Sequence, residues 1–143
     1  MLLFSPYFFL FLIVAITAIT ASSYTLIRRQ REFGLIQLAK QWKMHFSPKD
    51  VFNLAPRLAS RLPIPGAAEV RVRDMIYGNE SAGHRYIFCA EFTVGVLQSK
   101  SRRHVVATVL EPRERGDASI WATLQFAPVE LPLIEQYRSL KKE

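Results

Sequence analysis

The stretch RYIFCAEFTVGVLQ, residues 85–98, decides the fold. In a strand, successive side chains point to opposite faces. Tyr86, Phe88, Ala90, Phe92 and Val94 then share one face, and Ile87, Cys89, Glu91 and Thr93 share the other. The first set is aromatic and aliphatic throughout, which predicts a strand with that face on a core. Glu91 and Thr93 mark the opposite face as the one turned away from it.

The same period extends in both directions. Upstream, EVRVRDMIYG (69–78) alternates Val70, Val72, Asp74 and Ile76 with Arg71, Arg73, Met75 and Tyr77. NESAGH (79–84) supplies a turn between the two strands. Downstream, SKSRR (99–103) is a polar tip, HVVATVLEP (104–112) a third strand, RERGDA (113–118) another turn and SIWATLQFAP (119–128) a fourth strand. Strands joined by such short loops predict an antiparallel meander. VELPLIEQYRSLKK (129–142) reads as a closing amphipathic helix, with Lys141 and Lys142 placed favourably against its dipole.

Before the strands, the period is helical. In FSPKDVFNLAPRLASR (46–61), Ser47 is placed as an N-cap, Pro48 as the first helical residue and Asp50 as its capping-box partner. Val51, Phe52, Leu54, Ala55 and Leu58 would form the apolar stripe, and Pro56 should end or kink the helix. LPIPG (62–66) leads out as a stiff turn. REFGLIQLAKQWKMHF (31–46) carries apolar residues at helical spacing, with Gly34 as a candidate hinge. The expected fold class is α+β: about four antiparallel strands with two or three covering helices, a helix packing on a sheet face to bury it.

The chain has 143 residues and a net charge of +7, yet all 19 Lys/Arg and all 12 Asp/Glu lie after Ile27. The uncharged opening exceeds the roughly 20 apolar residues needed to cross a bilayer core. Ser5 and Pro6 suit a helix start. Thr17, Thr20, Ser22, Ser23 and Thr25 are tolerated in lipid if their hydroxyls bond to carbonyls one turn back. A cleaved signal peptide is the competing possibility, with Ala18 and Ala21 as small residues near a cleavage site. It would want a positive n-region, and the first Lys or Arg is Arg28. The expected organisation is a transmembrane anchor at 1–27, a juxtamembrane helix or linker at 28–46 and a cytosolic α+β domain at 47–143. Arg28, Arg29 and Arg31 flank the span at its C-terminal end, which predicts the N-terminus outside and the domain in the cytoplasm of a bacterial inner membrane. The single cysteine, Cys89, fits a reducing compartment. Arg28, Arg29, Arg31, Lys40 and Lys43 are the candidate contacts with the membrane surface.

Residues fit for chemistry are few. His45, His84 and His104 have no partner at metal-ligand spacing, and His84 falls in the expected turn. Cys89 sits mid-strand among aromatics, as a core residue would. Glu91 has no second carboxylate at a defined spacing. There is no phosphate loop, dinucleotide fingerprint or nucleophile elbow. The expectation is therefore no catalysis, no cofactor, no metal and no small-molecule substrate. KSRRH (100–104) is basic, but a basic domain beside anionic lipid is expected without nucleic acid, so no nucleic-acid partner is expected either.

The segment Met44–Pro112 resembles an uncharacterised group of bacterial proteins that pair an N-terminal membrane helix with a small cytosolic domain. Tyr77, Gly78, Phe88, Phe92 and Gly95 carry that resemblance, through a glycine turn between two strands. It implies the architecture and adds no activity. The function expected from anchor, domain and missing site is that of an accessory or structural subunit of a larger membrane complex, a respiratory or photosynthetic assembly being one host that would fit. Its partners would be the lipid bilayer and other integral membrane subunits. Trp121, Arg71 and Arg73 on the sheet, and Thr17, Thr20 and Ser23 on the membrane helix, are the candidate partner contacts. The alternative is a membrane-anchored sensor or anionic-lipid-surface binding protein.

Overall fold

The computed structural model describes residues 5–60, 68–95, 101–112 and 123–141. The elements run α1 (Pro6–Gln41), β1 (His45–Lys49), α2 (Leu54–Leu58), β2 (Ala68–Glu80), β3 (Gly83–Val94), β4 (Ser101–Pro112), β5 (Gln125–Phe126) and α3 (Leu133–Lys141). The strands form one antiparallel sheet in the order β1-β2-β3-β4-β5. The class is α+β, with five strands where about four were expected. The chain divides into two compact units, with the division between Gly34 and Leu35.

In the first unit, α1 opens with Pro6 as its first residue and with the Phe8 N–H donating to the Ser5 carbonyl at 2.9 Å. Pro6 has no N–H to leave unpaired there. The hydroxyls of Thr17, Thr20 and Ser23 donate to the carbonyls of Ile13, Ile16 and Ile19 at 2.8, 2.8 and 2.9 Å. The apolar side chains around them are exposed, Phe11 at 71% and Ile19 at 67%. The helix is long and apolar enough to cross a membrane.

In the second unit, the last turns of α1 bury Leu35, Leu38 and Ala39. The helix does not break at Gly34. It ends at Gln41 and is closed by Lys43, whose φ of 55° is left-handed. The Met44 N–H donates to the Ala39 carbonyl at 2.8 Å and the Lys43 N–H to the Lys40 carbonyl at 3.1 Å. This is the Schellman arrangement, built on lysine instead of the usual glycine.

The segment read as a capped helix from Ser47 begins instead as the edge strand β1, with Ser47 opposite Met75 and Lys49 opposite Arg73. Pro48 is compatible with an edge, where a missing N–H breaks no ladder. The helix starts later. Both carboxylate oxygens of Asp50 accept from its first N–H groups, Oδ1 from Leu54 and Oδ2 from Ala55, each at 2.9 Å. Pro56 therefore lies in the first turn, where helix N–H groups have no internal partner, and it neither ends nor kinks α2.

The Phe88 face carries Val72, Met75, Tyr86, Phe88, Ala90, Ala107 and Val109, packed against Leu54 and Leu58 of α2. The opposite face is also a core, not an open surface. Ile76, Ile87, Cys89 and Val106 pack there against Leu35, Leu38 and Ala39 of α1 and Tyr137 and Leu140 of α3. The alternation expected for β2 is corrected by a bulge: Arg73 pairs with Cys89 but Ile76 pairs with Ile87. The extra residue lies at Asp74, at φ 51°, in the left-handed region that Asp tolerates better than most residues. Met75 and Tyr77 thus join Val72, while Ile76 joins Arg73. Of the expected fourth strand, Gln125–Phe126 is described, and residues 119–122 lie outside the described residues.

Candidate functional site

Past Cys89 and Val106, which pack against α1 and α3, the same face of the sheet becomes polar. Cross-strand pairing places Arg71 opposite Glu91 on β2 and β3, and Glu91 opposite His104 on β4. Thr93 stands opposite Arg102. Directly opposed residues share a face, so Arg71, Arg73, Glu91, Thr93, Arg102 and His104 form one patch. Glu91 is its centre. Oε1 accepts from Arg73 at 2.7 Å and Oε2 from Arg102 at 2.9 Å. One carboxylate thus ties all three central strands together.

Burial sets the chemistry at the inner border of the patch. Burial works against the Arg73 charge, but Glu91, Cys89 and Asp74 hold its pKa above the ordinary value. Burial pushes the Cys89 thiol up to about 11, against the opposing pull of Arg73. A thiol held protonated is a poor nucleophile, so Cys89 serves as a packing residue, as its position mid-strand implied. Arg71, Arg102, Arg103 and His104 are exposed.

A second cluster sits on the other face, near the β2–β3 turn. The ring of Phe52 lies 4.9 Å from Tyr77 and 4.9 Å from Tyr86, edge-on to both. His84 is not in the turn but in β3, opposite Asn79. Its Nδ1–H donates to Asn79 Oδ1 at 2.7 Å, and its ring lies 4.8 Å from Tyr86. The Tyr86 hydroxyl donates to Glu111 at 2.9 Å. Burial and that bond push the phenol up to about 12. The rings fill each other's space, so the cluster clamps the β1–α2 connection onto the sheet.

The expected contact residues separate. Arg71 and Arg73 share the Glu91 face, as proposed, and Arg73 is taken up by Glu91. Trp121 lies outside the described residues. Thr17, Thr20 and Ser23 have their hydroxyls bonded within α1. Arg28 pairs with Glu32 at 3.2 Å and Arg29 is exposed, while Arg31 is half-buried. Lys40 and Lys43 are exposed, and Lys43 is also the helix cap.

Two members of the charged patch were missed from sequence. Arg102 was expected in the polar tip but lies within β4, and His104, expected at the start of the third strand, also stands within β4. Their pairing opposite Thr93 and Glu91 depends on the β3–β4 register, which no pattern in the sequence records. Among the described residues, no group of three or more His, Cys, Asp and Glu gathers that could hold a metal ion. The chain matches no family model, no curated protein and no solved structure.

Proposed function

We propose that the chain is a non-catalytic single-pass membrane protein acting as an accessory subunit of a larger membrane complex, with its C-terminal domain in the cytoplasm and its N-terminus outside. It would share the architecture of the uncharacterised bacterial group that its Met44–Pro112 segment resembles. The observation that carries this is α1: 36 residues whose apolar first part is exposed, followed by a second unit with its own core. Exposed apolar side chains in such number need either lipid or other helices around them. Arg28, Arg29 and Arg31 at the end of the apolar stretch support the orientation. In this proposal Arg71, Arg73 and the residues around Glu91 belong to the docking surface, and Arg28, Arg29, Arg31, Lys40 and Lys43 lie near lipid headgroups.

Purification of the full chain from its native membrane in a gentle detergent tests this. Co-migration with a defined set of larger integral membrane proteins is the expected result. A lone monomer that instead binds anionic vesicles through its domain would establish the alternative, a lipid-surface sensor.

A further inference from the structure

We infer that the outer edge of β4, from Ser101 to Val105, is a docking site for an extended acidic segment of a partner protein, which adds to the sheet as a further strand. The inference rests on the accessory-subunit proposal and names the chemistry of its partner.

Three observations define the edge. First, β4 is 12 residues long, but among the described residues β5 pairs only with Ala107 and Thr108. Among the described residues, the last backbone hydrogen bond along that side is the Ala127 N–H donating to the Val106 carbonyl at 2.9 Å. Second, the chain then leaves the sheet. Pro128 has no N–H to continue the ladder, and the Leu131 N–H closes a turn onto the Pro128 carbonyl at 3.4 Å. Third, Ser101, Arg102, Arg103 and His104 are all exposed.

Strand geometry fixes which backbone groups are open. N–H and C=O of one residue point the same way, and the direction alternates along the strand. The carbonyls of Val106 and Leu110 face the β5 side, since they accept from the Ala127 N–H and the Thr123 hydroxyl. Arg102 and His104, at the same parity, therefore present their N–H and C=O outward. Among the described residues no strand pairs with them there. An added strand would be held by these groups.

Charge selects the occupant. Arg103 flanks the edge on one face; on the other stand His104 and Arg102, the latter also bonded to Glu91 at 2.9 Å. Edge cations ordinarily deter strand addition, but they deter neutral and basic strands and favour acidic ones. A second copy is disfavoured, because antiparallel pairing of two β4 edges sets arginine against arginine, and like charges directly opposite destabilise. An anionic membrane would use the cations but not the open backbone groups.

The test uses the full chain in detergent micelles and a fluorescein-labelled peptide of alternating Glu and Thr, eight residues long. Two controls accompany it: the same peptide with alternate backbone amides N-methylated, and a Lys-Thr peptide. The expected result is saturable binding of the Glu-Thr peptide, at least tenfold weakened by N-methylation, with no binding of the Lys-Thr peptide. His104→Pro, which removes an outward N–H, should weaken binding tenfold or more, and Arg103→Glu should do so through charge alone if the proline variant fails to fold. Equal binding of the N-methylated peptide would overturn the inference by showing a simple cationic patch. So would the absence of peptide binding, vesicle binding unaffected by either variant, or self-association through this edge. If the native complex purifies intact with His104→Pro and Arg103→Glu, the edge inference fails while the accessory-subunit proposal stands. If no complex exists for the unaltered chain, the proposal itself fails.

Discussion

The Tyr137 hydroxyl donates a 2.5 Å hydrogen bond to the backbone carbonyl of Asp74. It joins α3 to the residue where β2 bulges, across 63 positions of sequence. Tyr137 is fully buried, and Asp74 nearly so. A bulge leaves its extra residue outside the ladder, so a side chain from another element supplies the partner that the neighbouring strand cannot.

Tyr137→Phe should therefore cost more than an average hydrogen bond. It keeps the ring in its packing site but leaves a buried carbonyl without this donor, which costs about 1–3 kcal/mol. Thermal unfolding of the full chain in detergent, followed by near-ultraviolet circular dichroism, should show a melting temperature lower by several degrees. An unchanged melting temperature would mean that water or another donor replaces the phenol.

Lys43 offers a change in the opposite direction. A non-glycine residue at a left-handed φ pays a steric penalty of about 1 kcal/mol or more. Lys43→Gly removes that strain while keeping the Met44–Ala39 and Lys43–Lys40 backbone bonds, and should raise stability by roughly 0.5–1 kcal/mol after glycine's own chain entropy is counted. Lys43→Val, which is β-branched, should lower it. If both variants melt at the parent temperature, the cap does not limit stability.

The two-residue period made β2, β3 and β4 legible, together with the face of Phe88 and the amphipathic α3. What was lost had specific causes. Ser47 and Pro48 carry a helix-start pattern, yet Phe46 is more useful packed beside the core of the Cys89 face as part of an edge strand, and the cap passes to Asp50. Asp74 reverses the parity of β2 through one backbone angle that no hydrophobic pattern records. The charged patch was half legible: Arg71, Arg73, Glu91 and Thr93 follow from alternation within strands, but Arg102 and His104 join them only once the β3–β4 register is known.

Glu80 gives a pH-dependent expectation. It ends β2, where it accepts from Arg85 at 2.9 Å and from Lys141 of α3. Burial alone would raise its pKa, but the bonds from Lys141 and Arg85 outweigh this and hold it below the ordinary 4.5. A depressed folded-state pKa contributes stability that is present above the unfolded value and lost as pH falls through the folded one. Glu80→Gln should thus destabilise the domain at pH 7 by about 1–2 kcal/mol, with the difference from the parent shrinking below pH 4.5. A difference that stays constant down to pH 3 would show that the carboxylate is not the stabilising group.

Gly83 tests the tight turn between β2 and β3. Its φ is 153°, and a Cβ built there would lie 2.1 Å from the Glu111 carbonyl oxygen. Backbone cannot yield as a flexible side chain does, so Gly83→Ala should force β3 and β4 apart at their Gly83–Pro112 pairing. The expected loss is about 2 kcal/mol or more, the sum of overpacking and an unfavourable φ. Faster amide exchange around Gly83 and Glu111 would locate the damage. Unchanged exchange there would exclude the steric account.

The anchor is tested through its cations. Orientation of a span follows the side on which Lys and Arg accumulate, and before Lys40 the chain's only basic residues are Arg28, Arg29 and Arg31. A reporter fused after Glu143 should report cytoplasm for the parent chain. Changing all three arginines to Gln leaves the apolar length intact, so the chain should stay in the membrane after a carbonate wash while its orientation becomes mixed. Arg28→Gln also removes the pair with Glu32, but an exposed pair of this kind contributes little, so the domain's melting temperature should hold. A parent chain whose reporter reads periplasm would reverse the topology and remove the cytoplasmic partner from consideration. An intact mass short by about 21 residues, as expected for cleavage after small residues near Ala21, would instead identify a signal peptide and leave the C-terminal unit without an anchor.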